Sequence, residues 1–100
     1  MNPSIRSLQL KSHKEEYAIR IPGPVRKLTV LLRGDTDHAF RIGFRRDSTF
    51  GEDYLTVDAG SSWWEDNIPT SPCGMAEYPL RLWIRCPDCD NLVAEILWWA

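Results

Sequence analysis

The sequence has no apolar run long enough to cross a membrane. No stretch approaches the roughly 18 consecutive apolar residues that a transmembrane helix requires. The opening stretch, "MNPSIRSLQLKSHKEE", also lacks the apolar segment of a secretory signal peptide. We therefore expect neither a membrane partner nor a secretory leader.

Cysteine and histidine are scarce. The three cysteines are an odd number, which disfavours a disulfide-framework secreted domain and indicates a reducing compartment. The two histidines lie in no catalytic motif, and no G-x-S-x-G, Gly-rich phosphate loop or H-E-x-x-H is present. Glu65 and Asp66 would suit glycoside hydrolysis by type, but adjacent strand residues point to opposite faces. The sequence therefore predicts a protein that is not an enzyme and has no catalytic residues.

A strong charge of one sign is absent as well. The net charge is −2, from 12 basic and 14 acidic residues, which favours neither nucleic acid nor an anionic membrane as partner. Two clusters are locally polar. Arg41, Arg45 and Arg46 are expected to form a solvated strand face rather than a phosphate site. "GDTDH" (34–38) is expected to be a polar turn rather than a cation site, because Asp side chains readily satisfy their own backbone.

What the sequence does have is alternation with a period of two residues. In "AFRIGFR" the apolar side chains alternate with arginine or glycine, and "LRLWIRC" and "YAIRI" behave alike. Gly, Pro and Asp clusters interrupt these runs at short intervals, and no long window has a helical period. The pattern predicts a single all-β domain over 1–100, a jelly-roll-like or Greek-key sandwich, with a small closed barrel as the rival. Eight strands are expected, at about 4–10, 15–21, 25–33, 39–46, 54–58, 62–68, 80–86 and 92–99.

Two segments carry further expectations. Residues 1–16 are polar and alternate weakly, so they are also a candidate N-terminal arm that lies on a neighbouring molecule. "NIPTSPCGMAEY" (67–78) is the long loop, which is expected at the surface and within reach of a partner.

The sharpest local motif is "CPDC", with Cys86 and Cys89 at the spacing of half a zinc site. Cys73 is a candidate third ligand, and His38 or His13 a fourth. A second C-x-x-C is missing, so the favoured interpretation is a tight turn with free thiols between two hairpin-linked strands. A Cys86–Cys89 disulfide, or redox chemistry at this pair, is the remaining alternative. No cofactor is expected, with zinc as the competing prediction.

Five tryptophans are more than one thin sandwich core accommodates. In each adjacent pair, 63–64 and 98–99, one ring is expected to face inward and the other outward. We predict Trp64, Trp83 and Trp99 as interface residues, because tryptophan is enriched at binding hot spots. The alternatives are a carbohydrate-binding module whose exposed rings stack on glycans, a Trp-rich core with one ring partly exposed, and a small zinc-stabilised interaction domain.

The second half of the chain, with "YLTVDAGSSWWEDNI" followed by "LRLWIRCPDCDNLVAEILWW", resembles small β-sandwich structural proteins of bacteriophage heads and tails. The likeness covers roughly residues 25–99 and lies in strand order and aromatic placement. "CPDC" and the long Pro-containing loop depart from that pattern. The resemblance implies a non-enzymatic capsid decoration or accessory protein, made in the host cytoplasm and located in the virion. It implies a homo-oligomer, commonly a trimer, that binds a capsid or tail protein.

Overall fold

The computed structural model describes residues 3–22, 25–65 and 80–99. These residues contain eight β-strands and one short 3₁₀ helix, η1. The elements are β1 (Ser4–Leu10), β2 (Tyr17–Ile21), β3 (Lys27–Leu32), β4 (Phe40–Gly43), η1 (Ser48–Phe50), β5 (Leu55–Val57), β6 (Trp63–Glu65), β7 (Leu80–Arg85) and β8 (Leu92–Trp99).

The strands form two four-stranded antiparallel sheets. Sheet A has the order β1-β8-β3-β6, and sheet B has the order β2-β7-β4-β5. Each strand of the first half therefore pairs with its counterpart counted from the other end: β1 with β8, β2 with β7, β3 with β6 and β4 with β5. An antiparallel ribbon rolled up in this way is a jelly roll. The all-β sandwich prediction is confirmed.

One apolar core fills the space between the two sheets. Alternate residues of each central strand point into it, as Leu28, Val30 and Leu32 do on β3 and Leu82 and Ile84 do on β7. These five side chains are at most 6% exposed. Since the inward set comes from every second residue, the opposite set of each strand is left on an outer face.

One expectation about connectivity is wrong. The turn that contains "CPDC" does not join two strands of a hairpin, because β7 belongs to sheet B and β8 to sheet A. The "GDTDH" turn likewise crosses between sheets, from β3 to β4. Gly34 has a φ of 66° there, a conformation that favours glycine. The chain thus changes sheet at each of these turns.

Two other expectations concern the N-terminal arm and the long loop. Residues 4–10 of the proposed arm form β1, which pairs with β8 along its whole length. The long loop at 67–78 lies outside the described residues, as do Asp66 and Cys73.

Candidate functional site

The outer face of sheet A carries a surface of mainly apolar side chains. One row crosses all four strands, from Ile5 on β1 through Leu97 and Thr29 to Trp64 on β6. We call this surface the apolar face; it consists of Ile5, Thr29, Leu31, Trp64, Val93, Leu97 and Trp99. Each of these residues alternates with inward-pointing neighbours in its strand.

Much of the apolar face is open to solvent. Ile5 is 62% exposed and Trp64 is 57% exposed, and both lie on edge strands. Leu97 and Trp99, on the central strand β8, are half-buried. Single exposed apolar residues are ordinary, whereas a contiguous set across a sheet is typical of an interaction site.

Charged groups lie at one end of this surface and also within it. The Lys27 ammonium lies 5.8 Å from the ring centre of Trp64 and 5.3 Å from that of Trp99. Glu95 lies on the same outer face of β8, between Val93 and Leu97, where the Arg33 guanidinium pairs with it at 3.2 Å and donates to the Ser7 hydroxyl at 2.7 Å. Protein–protein interfaces likewise combine apolar contacts with hydrogen bonds and charged pairs.

The tryptophan pairs alternate in direction. Trp63 and Trp98 pack against the core, whereas Trp64 and Trp99 belong to the apolar face. Trp83 points outward from β7, but β7 is in sheet B. The three tryptophans predicted as interface residues therefore lie on two opposite outer faces, with Trp64 and Trp99 together and Trp83 apart.

Sheet B presents arginines around Trp83. Arg81 and Arg85 precede and follow Trp83 on the same face of β7, and the register places Arg20 opposite Arg81 and Arg41 opposite Arg85. We call this surface the arginine face. Sequence reasoning missed these two arginine pairs, because alternation predicts which way a side chain points and not which strand lies beside it.

Arg41 and Arg85 have structural partners. Both donate to the carbonyl oxygen of Thr49, at 3.1 Å and 3.5 Å. Their guanidiniums also stack on aromatic rings, Arg41 over Tyr54 and Arg85 over Phe50, each at 4.4 Å from the ring centre. This pair therefore holds η1 and the following loop against sheet B. Arg41, predicted to be part of a solvated strand face, is in fact half-buried.

The turns β1–β2, β3–β4 and β7–β8 meet at one end of the sandwich, which we call the loop end. Both histidines are there, each with a carboxylate on its Nδ1: His13 with Asp90 at 2.6 Å and His38 with Asp35 at 2.9 Å. The Asp35 carboxylate also accepts the amides of Asp37 and His38, so this turn satisfies its own backbone as expected.

These contacts shift ionisation at the loop end. The hydrogen bond with the Asp35 carboxylate raises the pKa of His38; burial opposes it, and the charges of Asp35, Asp37 and Asp88 raise the pKa further. The same hydrogen bond lowers the pKa of Asp35. The amide and then the ring of His13 lower the pKa of Asp90. Each carboxylate is therefore held in its charged form.

The cysteines of "CPDC" are free thiols in this structure. Cys86 is buried and its thiol donates to the carbonyl oxygen of Ala39 at 3.5 Å, while Cys89 is half-buried. Burial raises the pKa of Cys86, against the opposing effect of the Asp88 and Cys89 amides. Among the residues that the structure describes, no three His, Cys, Asp or Glu side chains converge on a common metal position. The zinc set with Cys73 remains a prediction.

No helix within the described part of the chain is long and apolar enough to cross a membrane. Glu65 is exposed at the end of β6, and its proposed catalytic partner Asp66 lies outside the described ranges. No protein-family model, no curated protein and no solved structure matches this chain.

Proposed function

We propose that the protein is a non-enzymatic assembly component that associates with a second copy of itself through the apolar face. The observation that carries the proposal is the unbroken row from Ile5 to Trp64 across all four strands of sheet A. Burying this row against another molecule removes apolar area from water, which stabilises association by about 25 cal/mol per Å².

The dimensions of the chain suit a contact of this kind. Its principal extents are 38 × 29 × 19 Å, so the sheet faces are its broad surfaces. A standard stable interface buries about 800 Å² on each partner, which a face of this width can supply. The core of a 100-residue sandwich is also thin, so association adds stability that the monomer lacks.

A face that meets its own copy is isologous and produces a two-fold dimer. The other outward tryptophan, Trp83, lies on the opposite sheet and does not extend this contact. The geometry of the apolar face therefore favours a dimer over the trimer that the phage resemblance implies.

We further propose that the protein is a decoration or accessory component of a virus particle. Its support is the resemblance of residues 25–99 together with the jelly-roll strand order, which is common among viral capsid domains. A sandwich that offers a broad binding surface is suited to a contact repeated over a lattice. Immunogold labelling of particles from the source of the chain tests this part, and unlabelled particles would contradict it.

Sedimentation equilibrium tests the self-association. We expect a dimer at tens of micromolar that dissociates in the variants Ile5→Glu and Trp64→Ala, since each removes apolar contact from one end of the row. Thr56→Glu is the control: Thr56 is exposed on β5, an edge strand of sheet B, and lies opposite Arg41 on the outer face of that sheet, so the dimer should persist. A monomeric parent chain at 100 µM, or a trimer, would overturn the proposal.

A further inference from the structure

The arginine face contains a local conflict that the fold does not resolve. Arg20 on β2 and Arg81 on β7 are directly opposite, both are exposed, and both point outward. Like charges at directly opposed positions destabilise a sheet. Within the described ranges, no carboxylate lies within 4.0 Å of either guanidinium. This pair thus differs from Arg41 and Arg85, which are bound to the Thr49 carbonyl and to aromatic rings.

A third arginine, Arg6, contacts the strand that carries Arg20. The Arg6 guanidinium, on the edge strand β1, donates to the carbonyl oxygen of Arg20 at 3.5 Å. This contact brings a third guanidinium to the backbone of β2, the edge strand that carries Arg20. Two charges that repel each other and have no partner within the chain destabilise the fold. Such a pair is expected where the charges bind a ligand.

Trp83 lies two residues from Arg81 on the same face of β7, a spacing of about 7 Å along a strand. Its neighbours across the sheet are the two smallest residues available, Ala18 on β2 and Gly43 on β4. The Gly43 side is filled by Ser48 of the η1 segment. The indole therefore has free space on the Ala18 side.

Beside the indole, on the side away from Arg81, an open groove of about 350 Å³ is lined by Trp83, Lys14, Arg46 and the acidic residues Glu15, Glu16 and Asp47. The volume lies at the lower end of the range for small-ligand sites, roughly 300–1,000 Å³. Two of its carboxylates already have partners: Glu16 accepts from the Thr49 amide and hydroxyl, and Glu15 accepts from the Tyr17 hydroxyl. The groove thus carries three carboxylates against Lys14 and Arg46, so a negatively charged ligand group is directed to the other side of the indole, where Arg20 and Arg81 lie.

We propose that the arginine face binds an acidic saccharide, with a sugar ring stacked on Trp83 and a uronic-acid carboxylate held by Arg20 and Arg81. The planar guanidinium fork matches a carboxylate in a bidentate way. The separation of Trp83 from the arginine pair is within the span of a disaccharide. A bound carboxylate also removes the repulsion between the two arginines.

The charge distribution favours a short acidic saccharide over single-stranded nucleic acid. Proteins that bind single strands offer several stacking rings along a positive groove. The arginine face offers one outward tryptophan, since Arg41 and Arg85 stack on the neighbouring rings of Tyr54 and Phe50, and the chain as a whole has a net charge of −2. The loop end, where Asp35, Asp37 and Asp88 surround His38, would repel a long polyanion.

Isothermal titration calorimetry with defined probes tests the proposal. The probes are tetramers of galacturonate, of mannuronate–guluronate and of a glucuronate-containing chain, with cellotetraose as the neutral control and an oligothymidylate as the nucleic-acid control. We expect one of the uronates to bind, and cellotetraose and oligothymidylate to bind at least about tenfold more weakly, since charge-assisted hydrogen bonds are lost or misplaced.

Variants assign the binding to this face. Arg20→Gln with Arg81→Gln, and separately Trp83→Ala, should each weaken uronate binding about tenfold or more. Trp83→Phe should retain part of it, which guards against loss of fold in the alanine variant. Arg26→Gln, an exposed arginine outside sheet B, should bind as the parent does. The single variant Arg81→Gln should also raise the melting temperature without ligand, because it relieves the repulsion.

Several results would overturn the inference. Equal binding of cellotetraose and the uronates would remove the role of the arginine pair. Binding of oligothymidylate alone would show a nucleic-acid surface instead. No binding of any tetramer at millimolar concentration, or uronate binding unchanged by the arginine and Trp83 variants, would also contradict it. The apolar-face variants Ile5→Glu and Trp64→Ala should leave uronate binding intact, so the two proposals fail independently.

Discussion

Ser48 occupies the space that a side chain on residue 43 would need. An ideal Cβ on Gly43 would overlap the Ser48 Oγ, and the Thr49 methyl group would lie 3.4 Å away. The Ser48 hydroxyl in turn donates to the carbonyl oxygen of Arg45 at 2.6 Å, so it is fixed in place. The missing side chain at the end of β4 is what allows η1 to pack directly on sheet B.

We predict that Gly43→Ala destabilises the fold by about 1–3 kcal/mol, the cost of forcing an extra carbon into a packed site. Urea unfolding followed by far-UV circular dichroism measures the change. Gly51→Ala is the matched control, since its new Cβ would meet only the Ser48 carbonyl oxygen at 3.7 Å, an ordinary contact. Adding Ser48→Gly to Gly43→Ala should recover part of the loss, and equal stability of the two alanine variants would refute the packing argument.

Glu16 fastens the same segment from the other side. Its carboxylate accepts the amides of Asp47 and Thr49 and the hydroxyl of Thr49, which is fully buried. Glu16→Ala leaves that hydroxyl without its acceptor, so we expect a loss of about 1–3 kcal/mol. Chemical unfolding measures it, and hydrogen exchange of the Thr49 amide should accelerate. Glu52→Ala, at an exposed position, is expected to change neither quantity. The same small effect for both variants would show that the hydrogen bonds to the Glu16 carboxylate do not stabilise the fold.

The strands could be predicted from the sequence because their cause is local. The alternation of "LRLWIRC" and the breakers around it place β7 within one residue, and β1 and β8 match the expected bounds. The pairing of the strands was harder to predict from the sequence. Nearest-neighbour pairing suggested a hairpin around "CPDC", whereas β7 pairs with β2 and β4, and β8 with β1 and β3. Period-two alternation says which side of a strand is buried and nothing about which strand lies beside it.

The candidate sites could also be predicted from the sequence only in part. The excess of tryptophan predicted outward-facing rings, and Trp64, Trp83 and Trp99 all point away from the core. That Trp64 and Trp99 share one face with Ile5, while Trp83 lies among arginines, follows only from the register of distant strands. The Arg20–Arg81 pair joins positions 61 residues apart, a relation that composition and spacing do not contain.

The His38–Asp35 pair should make stability depend on pH. Asp35 raises the folded-state pKa of His38 above 6.5, so this contribution is complete below 6.5 and is lost as pH rises through the folded value. His38 lowers the folded-state pKa of Asp35 below 3.8, so that contribution is complete above 3.8 and is lost as pH falls through the lowered value. Both contributions are therefore complete between pH 3.8 and 6.5.

Asp35→Asn tests this linkage. We expect the NMR titration midpoint of the His38 ring to fall toward 6.5, and the stability lost through the substitution to be larger at pH 5.5 than at pH 9. Asp53→Asn is the control, because Asp53 is not among the groups that act on His38. An unchanged His38 midpoint in Asp35→Asn would show that the hydrogen bond does not set its pKa.

The two cysteines of "CPDC" should differ in reactivity. Cys86 is 1% exposed and burial raises its pKa, whereas Cys89 is half-buried in the β7–β8 turn. Because the thiolate is the reactive form, iodoacetamide should label Cys89 in the folded protein and reach Cys86 only when the protein opens. Peptide mass spectrometry in a Cys73→Ser background measures both rates, and equal rates without denaturant would contradict the placement of Cys86.

The same labelling tests the zinc alternative when Cys73 is retained. Bound zinc would then protect Cys89 as well, and EDTA would restore its labelling. Labelling of Cys89 that zinc and EDTA both leave unchanged would eliminate the zinc alternative.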